Sequence, residues 1–403
     1  MSHIDALWGF LVAGVVAFAT APLAARLARS IGAIDMPRER GLSDEPTPSL
    51  GGLAILAGVA VAGLLFLPLF GPADVDQQTR GIVIGAVVIA LVGTADDIWD
   101  LPAAVKLLGQ AAAALIPVLA GVRVATFTLP FLGHVDLGNM SGPVTIVGMV
   151  AVMNVVNFTD GVDGLAAGVC TIAAATLAVI ALSLDKACLD GASTCTGAGV
   201  LAAITAGAAF GFLYHNFHPA SIFMGDAGSN MLGLLLASVA IQGTIKTAAI
   251  VALFFPLTVL AVPILDGAFV VMKRLKYRRP VYEADRWHLH HRLANIGFSQ
   301  RRTVLYLYGW TLALALLSLA LRFVPYSDHH GHFHTGWTLV LVAFGVLAVG
   351  ASLYLVYVLE ILKFTRFRRR EILRETGEGL TDEEIARRVR GEIQTDEWEL
   401  PVR

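Results

Sequence analysis

Charged residues are scarce in this chain. They make up 15% of its 403 residues, while 56% are hydrophobic, whereas a soluble globular protein carries about 25% charged residues. This shortage excludes an ordinary soluble domain. An excess of one sign is also absent, since the formal net charge is −2, and the composition therefore gives no reason to expect a nucleic-acid partner.

Other common features are missing as well. No basic segment precedes the first apolar run, and Arg26 and Arg29 follow it, which favours a retained helix over a cleaved signal peptide. We find no internal repeat of the kind that many transporters show. Cysteine is rare: Cys170 is predicted to pack in the core, and Cys188 and Cys195 share a predicted external loop, either as a disulfide or as two free thiols.

Long apolar runs dominate the chain instead. Several of them reach about 20 residues, the length of a helix that crosses a bilayer. We therefore predict an all-α polytopic membrane protein, with a transmembrane catalytic domain over 1–362 and a charged cytoplasmic tail over 363–403. The eleven predicted spans are 6–29, 50–70, 80–95, 103–121, 142–156, 164–184, 199–214, 230–243, 247–272, 303–322 and 336–362.

The distribution of basic residues predicts the orientation. Lysine and arginine are concentrated in the segments that follow odd-numbered spans, above all in the 273–302 loop, and are few on the other side. The positive-inside rule then places the N-terminus outside and the C-terminus in the cytoplasm. On the external side, segment 122–139 alternates apolar and polar residues around a proline, which predicts a small external β-hairpin.

Four polar clusters interrupt the apolar runs, and all fall on the predicted cytoplasmic side. The first is Asp96 with Asp97, at the end of the third span. A carboxylate within a span costs about 2.5–3.5 kcal/mol on insertion scales, so the pair calls for a cation, a shared proton or a metal nearby. The alternative is an interfacial pair that reaches water. Lys106, near the start of the fourth span, is well placed to contact a phosphate.

The second cluster is NVVNFTDGVDG at 154–164. Asn154 and Asn157 are three residues apart and are predicted to share a helix face. Asp160 begins a tight turn. Asp163 is open to two interpretations, as a simple N-cap of the sixth span or as part of a site with the other three polar residues.

The third cluster is FMGDAGS at 223–229, just before the eighth span. A helix N-terminus offers free N–H groups to an anion, and Mg²⁺ is typically held by one or two carboxylates together with substrate phosphates and waters. Asp226 is therefore a candidate metal ligand, with an N-cap as the simpler alternative.

The fourth cluster is HLHHR at 288–292. A zinc site is one interpretation of its histidines, but no cysteine accompanies them and the acidic groups suit a harder ion. Contact with a phosphate or nucleotide fits better. Carboxylates, a divalent metal and cationic donors together suit phosphoryl transfer, and at a membrane surface the natural acceptor is a lipid phosphate.

Five stretches of the chain resemble the polyprenyl-phosphate N-acetylhexosamine-1-phosphate transferase family. They are Pro48-Ser49-Leu50-Gly51-Gly52, ADDIWDL at 95–101 with Lys106, NVVNFTDGVDGLAAG at 154–168, FMGDAGS at 223–229 and HLHHRL at 288–293. The His-x-His-His form and the eleven spans resemble the branch that uses UDP-N-acetylglucosamine. The branch that transfers phospho-N-acetylmuramoyl-pentapeptide usually shows three consecutive histidines and ten spans.

The resemblance implies a reaction in the bacterial cytoplasmic membrane that starts the synthesis of a cell-envelope glycopolymer. N-acetylglucosamine-1-phosphate would pass from UDP-N-acetylglucosamine to undecaprenyl or a related polyprenyl phosphate, with release of UMP. Mg²⁺ or Mn²⁺ would be required. Direct attack and a covalent aspartyl intermediate are both compatible with the motifs, and a homodimer is compatible with the sequence.

The resemblance also implies roles for individual residues. The catalytic carboxylates would be Asp96, Asp97 and Asp226, the first two at the lipid phosphate. Asp226, Asn157 and Asp160 would hold the metal. The substrate-binding residues would be Lys106, Asn154, Asn157, Asp160, Asp163, Gly51, Gly52, His288, His290, His291 and Arg292.

Three alternatives stay open at this point. The chain could transfer phospho-N-acetylmuramoyl-pentapeptide, or it could use another UDP-N-acetylhexosamine donor. An ion-coupled transporter is the third, because intramembrane carboxylates often mark ion paths. Transporters place their sites near the midplane of the bilayer, whereas the polar clusters here lie at one interface.

Overall fold

The computed structural model describes residues 2–35, 46–70, 77–129, 133–184, 193–244, 300–325, 334–348 and 350. The α-helices in these ranges are α1 (His3–Ile31), α2 (Gly51–Phe66), α3 (Gln77–Trp99), α4 (Ala103–Leu119), α5 (Ser141–Thr159), α6 (Leu165–Ser183), α7 (Ser193–Asn216), α8 (Gly225–Thr244), α9 (Gln300–Phe323) and α10 (Thr335–Ala348). A 3₁₀ turn at Gly138–Met140 precedes α5.

Six of these described segments are long and apolar enough to cross a membrane by length and composition: α1, α3, α5 with its preceding turn, α6, α7 from Thr196 onward, and α9. The protein is thus a polytopic all-α membrane protein. The predicted span 247–272, about half of the predicted span 336–362 (residues 349 and 351–362) and the tail 363–403 lie outside the described residues. The total of eleven spans and the orientation stay predictions.

Two helices extend well beyond the predicted spans into an adjoining polar cluster. α3 continues to Trp99 instead of ending at residue 95, and α8 begins at Gly225 instead of residue 230. Hydropathy marks the part of a helix that suits the bilayer, whereas backbone hydrogen bonding continues through polar residues. As a result Asp96, Asp97 and Asp226 lie on helices and not in loops.

Helices α1 and α7 pack closely because small residues line their contact. The buried positions of α1 are all alanine or glycine: Ala6, Gly9, Ala13, Ala17, Ala21, Ala24, Ala25 and Ala28. On α7, a Cβ added to Gly207 would overlap the carbonyl oxygen of Phe10. Small residues let membrane helices approach closely enough to gain van der Waals contact, which is a main driving force for their association.

A proline inside α1 creates a second link to α7. Pro22 has no N–H to donate to the carbonyl oxygen of Phe18, four residues earlier. The Nε2 atom of His215 on α7 lies 3.0 Å from that oxygen, the geometry of a hydrogen bond in which the imidazole donates. An unsatisfied backbone group in hydrocarbon is costly, so this contact stabilises the helix pair.

α8 is the central helix of the described bundle. It packs against α2, α3, α4, α5, α6 and α7. Of the residues between Ala227 and Gln242, all but one are buried, as expected of a helix that is apolar on nearly every side. The first turn of α8 carries Asp226, so the placement of this N-terminus decides the geometry around that carboxylate.

Two short antiparallel pairs of strands complete the described elements. β1 (Ile34–Asp35) pairs with β2 (Thr47–Pro48), which leads into α2. β3 (Thr126–Leu129) pairs with β4 (Gly133–Asp136) within the segment predicted to form a hairpin. Residues 130–132, between these two strands, lie outside the described residues, and the external position of the pair stays a prediction.

Candidate active site

Three of the four polar clusters meet at one end of the bundle. This end is formed by the C-termini of α3 and α5 and by the N-termini of α4 and α8. Asp97 of α3 and Asn157 of α5 both form hydrogen bonds with Asp226 of α8. The fourth cluster, with His288, His290, His291 and Arg292, lies outside the described residues, so its roles stay predictions.

Asp97 holds the start of α8 from a neighbouring helix. Its Oδ1 atom accepts the N–H of Asp226 at 2.8 Å, and its Oδ2 atom accepts the N–H of Ala227 at 3.2 Å. The first N–H groups of a helix lack intrahelical partners, and a carboxylate there also suits the helix dipole. Gly225 permits this approach, because it has φ 72° and a Cβ there would overlap Asp97.

The hydrogen bonds of Asp97 limit the capacity of the α8 N-terminus to bind an anion. The two amide groups that it binds are not free to hold a phosphate, as the sequence of the third cluster predicted for this N-terminus. Asp97 instead fixes the position of Asp226. A direct contact of Asp97 with a lipid phosphate stays a prediction.

The start of α2 packs against the same N-terminus. The N–H of Gly51 donates to the carbonyl oxygen of Phe223 at 2.9 Å, and that of Gly52 donates to Met224 at 2.8 Å. A Cβ at Gly52 would overlap the backbone nitrogen of Gly228. The glycines thus permit a close backbone approach to α8. Contact of Gly51 and Gly52 with substrate stays a prediction.

Lys106 lies among carboxylates at the centre of this end. Its ammonium nitrogen is 2.7 Å from Asp96 Oδ2 and 3.7 Å from Asp226 Oδ2. The exposed Asp100 carboxylate is 3.9 Å away. Asp96 also accepts the N–H of Leu101 at 2.8 Å, and it lies within hydrogen-bonding reach of Asp226. If all three are ionised, these carboxylates around one ammonium group leave an excess of negative charge, which either a divalent cation or a proton shared between Asp96 and Asp226 would offset.

Asn157 connects α5 to Asp226. Its Nδ2 atom donates to Asp226 Oδ1 at 2.7 Å and to the hydroxyl oxygen of Ser229 at 3.0 Å. Ser229 is fully buried and donates in turn to the carbonyl oxygen of Gly225 at 3.0 Å. Asn157 therefore orients the Asp226 carboxylate. Its side-chain carbonyl oxygen is the atom that could serve as a metal ligand.

Asp160 follows α5 and stands apart from this network. Within the described residues its carboxyl group has no hydrogen bond or ion pair. Burial raises the pKa of Asp160 well above the usual range, and the nearby carboxylates of Asp226, Asp97 and Asp163 raise it further. A carboxyl group that has no partner among the described residues and lies beside other carboxylates is suited to a cation.

Replacing Asp160 with asparagine should stabilise the metal-free protein. Folding raises the pKa of Asp160, so its carboxyl group ionises at a lower pH in the unfolded chain than in the folded protein. Asp160 therefore lowers the free energy of unfolding, and this destabilisation grows as pH rises above the usual pKa of aspartate. The gain in melting temperature should be small at about pH 4 and larger at about pH 8. Asp136→Asn, at an exposed turn, is the control. A lower melting temperature for Asp160→Asn across this range would contradict the burial argument.

The donor set fits Mg²⁺ without forming a complete cage. Within the described ranges, no group of three or more His, Cys, Asp or Glu side chains is arranged to hold a metal ion. Mg²⁺ does not require one, since it usually binds one or two carboxylates together with substrate phosphates and waters. Asp226, Asp160 and the Asn157 carbonyl oxygen could supply such ligands beside the carboxylates around Lys106.

Asn154 lies deeper, in a chain of amides. Its Nδ2 atom donates to Gln110 Oε1 at 2.8 Å. Gln110 Nε2 donates to Asn230 Oδ1 at 2.8 Å, and Asn230 Nδ2 donates to the carbonyl oxygen of Asp226 at 2.8 Å. Lining of a nucleotide pocket by Asn154 stays a prediction. Sequence reasoning overlooked Gln110 and Asn230, although each follows a site residue, Lys106 or Asp226, by four positions.

Asp163 is not the N-cap of α6. The N-cap is Gly164, which makes no side-chain cap hydrogen bond. Asp163 Oδ2 instead lies 2.8 Å from His218 Nδ1 and accepts the N–H of Ala220 at 3.1 Å. The carbonyl oxygen of His218 accepts from Arg301 Nε at 3.2 Å. Asp163 thus joins the α5–α6 turn to the α7–α8 connection, a long-range contact that the local cap pattern could not indicate.

Comparison with known protein sequences identifies the family of this chain. Residues 79–244 match the profile described as glycosyl transferase family 4. A Bacillus subtilis protein named probable undecaprenyl-phosphate N-acetylglucosaminyl 1-phosphate transferase is 36% identical over 313 residues, covering 77% of this chain and 84% of the relative. A Mycolicibacterium smegmatis protein named decaprenyl-phosphate N-acetylglucosaminephosphotransferase is 39% identical over 333 residues, covering 77% and 80%.

A relative from the other branch is less similar. The phospho-N-acetylmuramoyl-pentapeptide-transferase of Desulforudis audaxviator is 32% identical over 308 residues, covering 70% of this chain and 86% of the relative. The matched region of this chain runs from the first turn of α3 to the end of α8 and contains all the described polar clusters. The resemblance that the motifs indicated is confirmed, and the chain belongs to glycosyl transferase family 4.

Proposed function

We propose that this protein transfers N-acetylglucosamine-1-phosphate from UDP-N-acetylglucosamine to undecaprenyl phosphate or another polyprenyl phosphate and releases UMP. The observation that carries the proposal is the placement of the Lys106 ammonium group between Asp96 and Asp226. This ammonium group lies at one end of a membrane bundle, in a chain that is similar in sequence to transferases named for this reaction.

The proposed step exchanges one phosphoric anhydride bond for another. An oxygen of the lipid phosphate attacks the phosphorus that is bonded to the sugar. The bond from that phosphorus to the bridging oxygen breaks, and UMP leaves with its electron pair. The lipid phosphate is already largely ionised near neutral pH, so no strong base is needed.

Lys106 and the metal ligands would stabilise negative charge on the substrate phosphates in two different ways. The Lys106 ammonium group would stabilise negative charge that spreads over the phosphate oxygens, which is the main requirement of phosphoryl transfer. Asp226, Asp160 and Asn157 would hold Mg²⁺, which when bound would neutralise the diphosphate. Asp97 would keep Asp226 in place through its two hydrogen bonds to the start of α8.

The comparisons favour the N-acetylglucosamine donor over the muramoyl-pentapeptide donor. Relatives named for N-acetylglucosamine transfer are 36–39% identical to this chain, whereas those named for pentapeptide transfer are 29–32% identical. The same proposal places the site on the cytoplasmic face of a bacterial membrane. We also propose that the reaction starts the synthesis of an envelope glycopolymer and that the protein forms a homodimer.

An assay of UMP release tests the proposal. Purified protein is incubated with undecaprenyl phosphate, Mg²⁺ and either UDP-N-acetylglucosamine or the UDP-muramoyl-pentapeptide, with Asp226→Asn and Asp136→Asn alongside. We expect UMP from the first donor only, from the wild type and Asp136→Asn but not from Asp226→Asn. UMP from the pentapeptide donor alone would assign the other branch. Folded protein that releases UMP from neither donor would contradict the proposal. It would favour another UDP-N-acetylhexosamine donor first and, if no such donor yields UMP, the transporter alternative.

A further inference from the structure

The amide chain described above lies one helical turn below the candidate active site. Lys106 and Gln110 are four residues apart on α4, and Asp226 and Asn230 are four residues apart on α8. Residues at this spacing lie on the same helix face. The hydrogen bond between Gln110 and Asn230 therefore lies directly beneath the contact between Lys106 and Asp226.

The third helix follows the same arrangement. On α5, Asn157 contacts Asp226 in the upper layer, and Asn154, three residues earlier, contacts Gln110 in the lower layer. Each of α4, α5 and α8 thus contributes one residue to each layer. Gln110 and Asn230 are only 5% and 4% exposed, so these two side chains of the lower layer are shielded from both solvent and substrate.

The donor and the acceptor in each hydrogen bond of this amide chain follow from its last contact, which is with the backbone carbonyl oxygen of Asp226. Asn230 donates to a backbone carbonyl oxygen, which can only accept, so its own side-chain oxygen must face Gln110 Nε2. Gln110 then presents its oxygen to Asn154, whose Nδ2 also donates to the carbonyl oxygen of Val150 at 2.8 Å. A largely buried network of linked amides favours one arrangement of the helices that carry it.

We propose that Gln110 and Asn230 are positioning residues, which hold α4 and α8 at the separation where Lys106 and Asp226 act on the same substrate phosphates. They touch neither substrate nor metal and act through the two residues one turn above them. This inference rests on the proposed function. It predicts that loss of the lower layer slows the chemical step more than it weakens binding.

The test compares two replacements of a buried glutamine by methionine. Gln110→Met removes the bridge between Asn154 and Asn230. Gln242→Met is the matched control, since Gln242 on α8 is 3% exposed and its Nε2 makes one long hydrogen bond of 3.4 Å to Thr79. We expect kcat of Gln110→Met to fall about 10- to 100-fold, the usual effect of residues that orient a site. KM for both substrates should change by less than about threefold, and Gln242→Met should keep its kcat.

Several results would overturn the inference. They are a kcat of Gln110→Met within about twofold of the wild type, an equal loss in Gln242→Met, or a loss expressed in KM alone. Should Gln110→Met fail to fold, Gln110→Glu replaces it. The ionised glutamate keeps the acceptor for Asn154 but sets an oxygen against the Asn230 oxygen. At a pH high enough to ionise it, this variant should show the same fall in kcat, and unchanged turnover there would overturn the inference.

A stability measurement separates this inference from the proposed function. Melting temperatures of Gln110→Met, Asn230→Leu and the double variant form a double-mutant cycle that requires no activity. We expect the two losses to be strongly non-additive, and additive losses would overturn the inference. A wild type that releases no UMP from UDP-N-acetylglucosamine would instead contradict the proposed function, while this cycle would still test the network.

Discussion

Replacing Lys106 with methionine should slow UMP release by about 10²- to 10³-fold, the range found when one donor to a developing negative charge is removed. The ammonium group is 2.7 Å from Asp96 and 3.7 Å from Asp226. Its removal leaves adjacent carboxylates without their cation just where phosphates must bind. The rate of UMP release at saturating substrates is the measurement.

Stability must be separated from catalysis in this variant. Loss of one partner of a buried ion pair costs about 3–5 kcal/mol, but the Lys106 side chain is 34% exposed, so the loss here should be smaller. The double variant Asp96→Asn with Lys106→Met removes both charges and should recover the melting temperature without recovering turnover. Arg123→Met, beyond the opposite end of α4, is the control. Turnover of Lys106→Met within about tenfold of the wild type would contradict the proposed role.

Replacing Asp97 with asparagine should reduce both activity and stability. The Asp97 carboxylate accepts two N–H groups at the start of α8, at 2.8 and 3.2 Å, whereas the asparagine amide has one acceptor oxygen and would set its own N–H₂ against a donor. Hydrogen bonds to charged groups contribute about 1.5–3 kcal/mol each. We expect a clear fall in melting temperature and about a hundredfold loss of turnover, because Asp226 loses its fixed position.

The pattern of losses distinguishes anchoring from proton transfer. If Asp97 acts as a general base, Asp97→Asn should lose turnover with little change in melting temperature. If Asp97 anchors α8, the same variant should lose both turnover and stability. Asp136→Asn is the matched control, because Asp136 also accepts a backbone N–H, from Gly138 at 2.9 Å, but in an exposed turn. An inactive Asp97→Asn variant with the melting temperature of the wild type would contradict the anchoring role.

The membrane architecture follows from hydropathy, because apolar runs of bilayer length have few other uses. Hydropathy could not locate the ends of α3 and α8, where polar residues continue the helix. This matters for the site, since Asp97 and Asp226 are positioned by helical geometry and not by loops. The pairing of Asp97 with the start of α8 joins residues 129 and 130 positions apart, which no local pattern reveals.

The sequence predicted which residues belong to the candidate site better than it predicted which of them contact one another. Lys106 and the carboxylates stood out because charges in apolar surroundings need partners. Gln110 and Asn230 did not, because a single amide within an apolar helix is unremarkable until its partner on another helix is known. Asp163 shows the same limit. Its position before α6 suggested an N-cap, and its observed partners, His218 and Ala220, come from a connection 55 and 57 residues away.

The fate of a labelled phosphate tests the central claim most directly. UDP-N-acetylglucosamine carrying ³²P in the phosphate next to the sugar is incubated with undecaprenyl phosphate, Mg²⁺ and the wild-type protein, and the lipid is extracted. Transfer of the sugar phosphate predicts that the label enters the lipid fraction while unlabelled UMP is released. Label that stays in the aqueous fraction, in free sugar phosphate or in UDP, would contradict the account.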